Sequence, residues 1–240
     1  MTSPRVLLII PCYNEAGSIA ALLREIANSG LGYDTVVIDD GSSDNTSEIA
    51  RPLSPTVRLV RNLGIGGAVQ TGIKYAHRHG YDFCVQIDGD GQHPPQEVAK
   101  LLQAYQQAPR EIIIGSRYIE HDTFRSTWAR RVGSQLIART INALFAQGCV
   151  TDPTSGMRLM DRRAMAFFAQ RYPHDYPEPI SLAWALRAGM RMGEVPVQMR
   201  AREHGQSSII GWKPLAYMFR VLCYLVLARC IRLDAPRSTE

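Results

Sequence analysis

The sequence predicts an α/β protein built on a mostly parallel sheet with helices on both faces. Three observations lead there. Short aliphatic and β-branched runs alternate with segments whose apolar residues recur at helical spacing through the first half of the chain. The runs, Arg5–Ile10 and Glu111–Gly115 among them, are apolar almost throughout rather than alternating, as strands covered on both faces are. Several runs also end in acids, glycines or both, so these polar turns gather on one sheet edge, where open α/β sheets hold nucleotides and other ligands.

Size and composition bound the reading. The chain has 240 residues, 45% of them hydrophobic and 20% charged, enough for a real core in one large domain or two small ones. Lys and Arg total 27 against 22 Asp and Glu, a net charge of +5 that suits phosphate-bearing ligands or an anionic membrane surface. There is no basic run with interleaved aromatics and no zinc-finger spacing, which counts against nucleic acid. The five cysteines are scattered without a CxxC pair, which excludes a disulfide framework and points to a reduced, cytosolic compartment. No signal-peptide layout precedes the first strand.

Taken in order, Arg5–Ile10 reads as a buried parallel strand, followed by Pro11-Cys-Tyr13-Asn14-Glu15. A helix starts near Ser18, turns Ile19, Leu22, Leu23 and Ile26 inward, and stops at Gly30. Thr35–Asp39 is the second strand, and Ser43 or Asp44 can cap the helix that carries Ile49. Val57–Val60 is a short third strand, leading through the glycine-rich Asn62–Ala68 into a helix that ends near Gly80. Phe83–Ile87 is a fourth strand, and it ends in Asp88-Gly89-Asp90-Gly91, where the glycines clear the backbone and Pro94-Pro95 stop the run. A helix from Pro95 follows, then the strand Glu111–Gly115.

The second half reads differently. Arg125–Phe145 is one helix with Val132, Leu136, Ile137, Ile141, Leu144 and Phe145 inward. A polar loop from Thr151 enters a strand at Met157–Met160; a helix begins near Pro177; Met192–Val197 is the last strand. Trp212–Leu233 is apolar and helix-prone, but its longest uncharged run, Val221–Ala228, is far short of the roughly 20 residues a membrane span needs. Such a helix wants a partner: a membrane interface with snorkelling arginines, another subunit, or its own domain. The expected division is residues 1–210 as one domain, and 211–240 as the apolar helix with a polar tail.

Six motifs then occur in order: Pro11–Glu15, Asp39–Thr46, Asn62–Ala68, Asp88–Pro94, Gly115–Arg117 and Asp152–Arg158. Together they resemble the family 2 glycosyltransferases of the GT-A fold, a Rossmann-like sheet, and within them the dolichyl- and polyprenyl-phosphate sugar transferases. The resemblance runs from about Val6 to Ser208. It implies a nucleotide-sugar site made by Pro11, Tyr13, Asn14, Glu15, Asp39, Asp40, Gly67, Asp88, Gly89 and Asp90, with Tyr13 stacking on the base and one of the acids at 39 and 40 holding base or ribose. It implies that Asp88 and Asp90 are the DxD pair that binds Mg²⁺ or Mn²⁺ on the donor diphosphate, with Gln92 touching metal or phosphate and His93 either a ligand or an exposed turn residue. Oxygen-only donors suit those ions.

Arg117, Arg130 or Arg131, Ser134 and Arg202 are the expected contacts to an acceptor phosphate, since guanidinium groups match phosphate bidentately. His204–Ser208 resembles a loop that closes over the donor. The implied activity is inverting transfer of a sugar to polyprenyl phosphate at the inner, cytoplasmic face of the cell membrane, with the protein attached peripherally, through a small membrane protein partner, or as a homo-oligomer through the last helix. An ionised phosphate needs no base; a saccharide or lipid-linked oligosaccharide acceptor would, and Asp152 or Glu178 could serve. The absence of QxxRW argues against a processive polymerase. The Pro-Cys-Tyr-Asn-Glu turn stands where a sugar-nucleotide pyrophosphorylase would carry a glycine-rich loop, and both DxD acids are present, which a non-catalytic partner protein would not need.

Overall fold

A computed structural model describes residues 4–119, 128–145, 150–200, 213–231 and 233, without the side chains of 128–130 and 213–216. Its strands are β1 (Val6–Cys12), β2 (Asp34–Asp39), β3 (Thr56–Arg58), β4 (Phe83–Gln86), β5 (Ile112–Ser116), β6 (Arg158–Asp161) and β7 (Met192–Pro196). They form one sheet in the order β3-β2-β1-β4-β6-β5-β7. β1 to β4 pair in parallel, as do β5 and β7, while β6 is antiparallel to both its neighbours. The sheet is therefore mostly parallel, as the sequence predicts, with one reversed strand.

That reversal matters for the site. It sets Arg158, the first residue of β6, opposite Gln86, the last of β4. The loop before β6 thus reaches the same edge as the carboxyl ends of the parallel strands.

Alternate residues of the strands feed two cores, because successive side chains leave a strand on opposite faces. Leu7, Ile9, Val36 and Ile38 face α3 (Gly64–Arg78), α5 (Trp128–Phe145), α6 (Arg162–Gln170) and α7 (Pro177–Arg187). Val6, Leu8, Ile10 and Val37 face α1 (Ile19–Asn28), α2 (Thr46–Ala50) and α4 (Val98–Gln107), the last entered through a 3-10 turn at Pro95–Glu97. Each fully buried Leu or Ile contributes about 1.5 to 3 kcal/mol. Gly72 lets α3 lie on β1, since a Cβ there would come within 2.9 Å of Ile9. The α1 side chains expected inward, Ile19, Leu22, Leu23 and Ile26, are all buried.

Three expectations change. α6 is a helix the sequence reading does not contain; Asp161 caps it by accepting a hydrogen bond from the Ala164 N–H at 2.9 Å. β3 is shorter than expected, ending at Arg58 and leaving Val60 fully exposed, because it pairs only with β2. On α5, Ile137, Ile141 and Phe145 are buried, but Val132 and Leu136 are exposed, because the core meets the other stripe of that helix.

The last helix is α8 (Lys213–Cys230), which packs on α5 and α7 through Val221, Leu225 and Ala228. No helix among the described residues is long and apolar enough to cross a membrane. The expected boundary at residue 210, Arg202 and the 204–208 loop lie outside the described residues.

Candidate active site

The turns after β1 and β2 are stitched together by hydrogen bonds. The Asp40 N–H donates to Cys12 O at 2.8 Å, which brings the two strand ends side by side. Asn14 takes a left-handed backbone (φ 57°), its N–H donates to Ser42 Oγ, and its Oδ1 accepts from the Ser43 N–H, both at 2.9 Å. The Glu15 and Ala16 amides donate to Thr46 Oγ1 and Asp44 Oδ2. Asp44 also accepts from the Thr46 N–H, but the N-cap of α2 is Asn45 rather than the expected Ser43 or Asp44, so Asp44 braces the helix start from one residue before the cap.

The neighbouring acids after β2 have opposite surroundings. Asp39 is fully buried, accepts from the Ser42 N–H and from Ser47 Oγ, and forms an ion pair with the Arg58 guanidinium at 3.6 Å. Burial opposes its ionisation, but the Ser42 and Ser47 hydrogen bonds and Arg58 outweigh it and hold the carboxyl below its ordinary range. Asp40 accepts from the Leu63 N–H at 2.7 Å, yet burial and the charge of Asp39 push its carboxyl up. Asp39 organises the turn; Asp40 lines the cleft.

At the end of β4, Gly89 lies hard against β1. A Cβ there would overlap Cys12 Sγ and come within 3.2 Å of Pro11 O. Ser18 Oγ lies 2.9 Å from Gly89 O and 2.8 Å from Glu15 Oε2, its single proton shared between them, tying the first and fourth turns together. Asp88 has a side chain 38% exposed, while Asp90 is only 7% exposed and accepts from the Gln92 N–H at 3.0 Å. His93 is buried, neither exposed nor open to a ligand through Nδ1, which accepts the Asp88 N–H at 3.0 Å. It holds the DxD turn from behind.

The loop before β6 closes the other wall. A Cβ on Gly156 would come within 3.0 Å of Asp88 Oδ1, so this glycine makes room for the acid. Arg117 donates to Asp152 through Nε and Nη2, both at 2.7 Å, and through its own N–H at 3.1 Å, with Nη2 also donating to Thr154 Oγ1 at 2.7 Å. Burial alone would lower the Arg117 pKa, but Asp152 reverses this, and the negative field of Asp88 reaches it too. Ser134 of α5 is buried, with Oγ 3.4 Å from Thr154 Oγ1. Arg131 lies 5.9 Å from the Tyr118 ring centroid; the Arg130 side chain lies outside the described residues.

These turns enclose a cleft of about 480 Å³. Pro11, Tyr13, Asn14, Glu15, Asp40, Asp88, Gly89 and Asp90, all expected at the nucleotide sugar, line it together with Asn62, Gly64, Ile65 and Glu178. Tyr13 is about half exposed, a free aromatic face at the rim. Gly67 is buried inside α3, where its missing Cβ accommodates Leu63, and Asp39 points inward. Gln92 donates from Nε2 to Arg200 O at 3.2 Å and so ties the segment after β7 to the DxD turn. Asp152 is fully buried and held by Arg117.

Sequence reasoning gave no role to Arg158, a buried cation whose guanidinium donates to Ser155 O, Pro153 O and Ser181 Oγ. Its field opposes the burial that pushes the Glu178 carboxyl up. The sequence signals were its place at the end of the Asp152–Arg158 motif and an arginine inside an apolar strand. Among the described residues no three His, Cys, Asp or Glu side chains converge to hold a metal unaided. The two DxD carboxylates offer hard oxygen donors to one cleft, the donor set expected where a substrate diphosphate completes the shell.

Fold and cleft together define a glycosyltransferase of the GT-A class. Residues 7–167 match the profile of Glycosyl transferase family 2, and the chain belongs to that family. It is 30% identical over 238 residues to the UDP-N-acetylglucosamine--dolichyl-phosphate N-acetylglucosaminyltransferase of Methanococcus voltae, covering 89% of this chain and 94% of that one. It is 30% identical to the polyprenol monophosphomannose synthase of Mycolicibacterium smegmatis (90% and 85% covered) and 31% identical to the undecaprenyl-phosphate mannosyltransferase of Micrococcus luteus (86% and 88%). Among solved structures, glucosyl-3-phosphoglycerate synthase from Mycobacterium tuberculosis, in complex with Mn²⁺, uridine diphosphate and glucosyl-3-phosphoglycerate, superposes with a TM-score of 0.68 at 21% identity, covering 98% of this chain and 82% of that one.

Proposed function

We propose that this protein transfers a sugar, with inversion, from a nucleotide donor to the phosphate of a polyprenyl phosphate at the cytoplasmic face of the membrane. The observation that carries the reading is that Asp88 and Asp90 both open onto the cleft walled by Tyr13, Asp40 and Asn62. The relatives named for dolichyl, polyprenol and undecaprenyl phosphate support the acceptor class. In this reading Tyr13 stacks on the base, Asp40 and Asn14 hold base or ribose, and Asp88 and Asp90, with Gln92 at their side, hold Mg²⁺ or Mn²⁺. That ion supplies neutralisation of the charge gathering on the leaving diphosphate. Arg117, Ser134, Arg202 and either Arg130 or Arg131 draw in the acceptor phosphate, whose oxygen attacks the anomeric carbon from the face opposite the leaving group.

Because the acceptor is already ionised, the residues are asked to position rather than to deprotonate. Asp152 fits that economy: it orients Arg117 and is not placed to act as a base. A saccharide acceptor would require a base, and Glu178, a carboxyl that lines the cleft, would be asked to take the proton.

The test is a screen of nucleotide sugars with Mg²⁺ or Mn²⁺ against a short-chain polyprenyl phosphate. Labelled sugar is expected in the lipid phosphate, and Asp90→Ala is expected to lose metal-dependent turnover and Mn²⁺ binding together. Labelling of saccharides alone would replace the acceptor; full activity in Asp90→Ala would remove the metal role.

A further inference from the structure

α8 is apolar on both of its faces. Inward it buries Val221, Leu225 and Ala228. Outward it presents Phe219 at 70% exposure, Val226 at 54% and Leu227 at 57%. At 3.6 residues per turn, Phe219, Cys223, Val226 and Cys230 fall within about 60° of arc, with Leu227 at their margin. Arg220 and Arg229, both exposed, lie on the two flanks of that stripe. A soluble helix ordinarily turns charge toward water on this side.

The neighbouring helix extends the surface. α5 packs on α8 so closely that a Cβ on Gly133 would come within 2.9 Å of Met218 Cε. Its exposed stripe is Val132, Leu136 and then Arg139. The two helices contain six basic residues and no Asp or Glu, in a chain with 27 basic and 22 acidic residues overall. An apolar strip flanked by arginines without a single acid on either helix matches an anionic lipid surface: the apolar side chains enter the acyl boundary and the arginines meet headgroup phosphates. A second copy fits less well, since it would set two basic faces against each other.

We propose that the joint outer face of α5 and α8 is the docking surface for an anionic bilayer, and that it sets the bilayer beside Arg131 on the flank of α5. The first clause stands on the surface alone; the second rests on the acceptor proposed above. α5 carries Arg131 on the flank of its exposed stripe, so a lipid phosphate leaving the headgroup layer would meet Arg131 first, without the isoprenoid chain leaving the membrane, while Ser134 is buried on the inner side of the helix.

The experiment is flotation of the full chain with vesicles of phosphatidylcholine alone, or mixed with phosphatidylglycerol, at low and high salt. Binding is expected to the mixed vesicles and to weaken with salt. A Phe219→Glu, Val226→Glu, Leu227→Glu variant should lose about tenfold or more in vesicle partition, and Arg220→Gln with Arg229→Gln should lose the preference for phosphatidylglycerol. Circular dichroism and the melting midpoint check that both variants fold.

Turnover of a short, water-soluble polyprenyl phosphate should survive in the triple variant, while turnover of a long-chain acceptor in vesicles should fall. A folded triple variant that floats like the parent overturns the proposal. So does a dimer in sedimentation that the same variant splits, since the face would then belong to a second copy. Vesicle binding that follows these residues in a protein transferring sugar to no polyprenyl phosphate would leave the docking face standing and remove the acceptor assignment.

Discussion

Replacing Asp152 by Asn separates positioning from base catalysis. The carboxylate is fully buried and accepts three hydrogen bonds from Arg117, at 2.7, 2.7 and 3.1 Å, while the Arg117 side chain is only 17% exposed. Removing one partner of a buried ion pair costs about 3 to 5 kcal/mol, because the other charge is left uncompensated. Asn keeps the shape and one acceptor oxygen but turns an N–H₂ donor toward a guanidinium, and Arg117 retains Thr154; the lower end, about 3 kcal/mol, is expected. For a chain of this length that is a fall of about 6 to 12 °C in melting midpoint.

Thermal and urea unfolding read the stability, and steady-state kinetics with each substrate varied in turn read the function. The acceptor KM should rise, with the donor KM nearly unchanged, because Arg117 loses its fixed orientation. A loss below about 1 kcal/mol would refute the assignment of Asp152 as the anchor of Arg117. A collapse of kcat with unchanged stability and acceptor KM would instead make Asp152 a proton acceptor, and with it favour an alcohol acceptor.

Two further perturbations address other parts of the fold. Gly89→Ala forces a Cβ onto Cys12 Sγ and should cost about 1 to 3 kcal/mol by overpacking, with weakened Mn²⁺ binding; adding Cys12→Ala should restore most of both, and a Gly89→Ala protein as stable as the parent would deny the close approach of β4 to β1. Asp161 has its carboxyl pushed up to about 6 by burial, with the charge of Glu111 adding to it. Its folded pKa lies above the unfolded one, so the folded state binds more protons between the two and stability falls as pH rises from the ordinary carboxylate range through about 6. Asp161→Asn keeps the cap on α6, should flatten that slope, and should stabilise the protein at pH 7 by about 1 to 2 kcal/mol after allowance for solvent screening; an unchanged slope in pH-dependent denaturation would show that Asp161 is not its source.

The sheet was legible because its strands are apolar runs that stop at polar turns, and the turns after β1, β2 and β4 meet at one edge of the structure. The α1 stripe was legible for the same reason: Ile19, Leu22, Leu23 and Ile26 keep strict helical spacing. What escaped was what the chain's local pattern does not encode. The reversal of β6 comes from pairing with strands far away in sequence. The division of labour between Asp39 and Asp40 depends on Ser47, Arg58 and Leu63, none of which marks either acid in the sequence. α5 misled because it is apolar on two stripes, so periodicity alone picked out Val132 and Leu136 along with the residues that meet the core.

Arginines set against the wall acids explain how the edge can gather so many carboxylates. Asp39, Asp40, Asp88, Asp90, Asp152 and Glu178 all come to one side of the sheet, and in a low-dielectric setting like charges this close would be driven to protonate. Arg58 answers Asp39, Arg117 answers Asp152, and Arg158 lies beneath Glu178. Asp88 has no such cation hydrogen-bonded to it among the described contacts; its backbone is held by His93 and its carboxylate is partly open to the cleft. The protein thus neutralises acids that shape the walls and leaves the Asp88 carboxylate partly open to the cleft. In the proposed reading a divalent cation and the donor diphosphate enter beside it, and so donor binding and metal binding are expected to be coupled rather than independent.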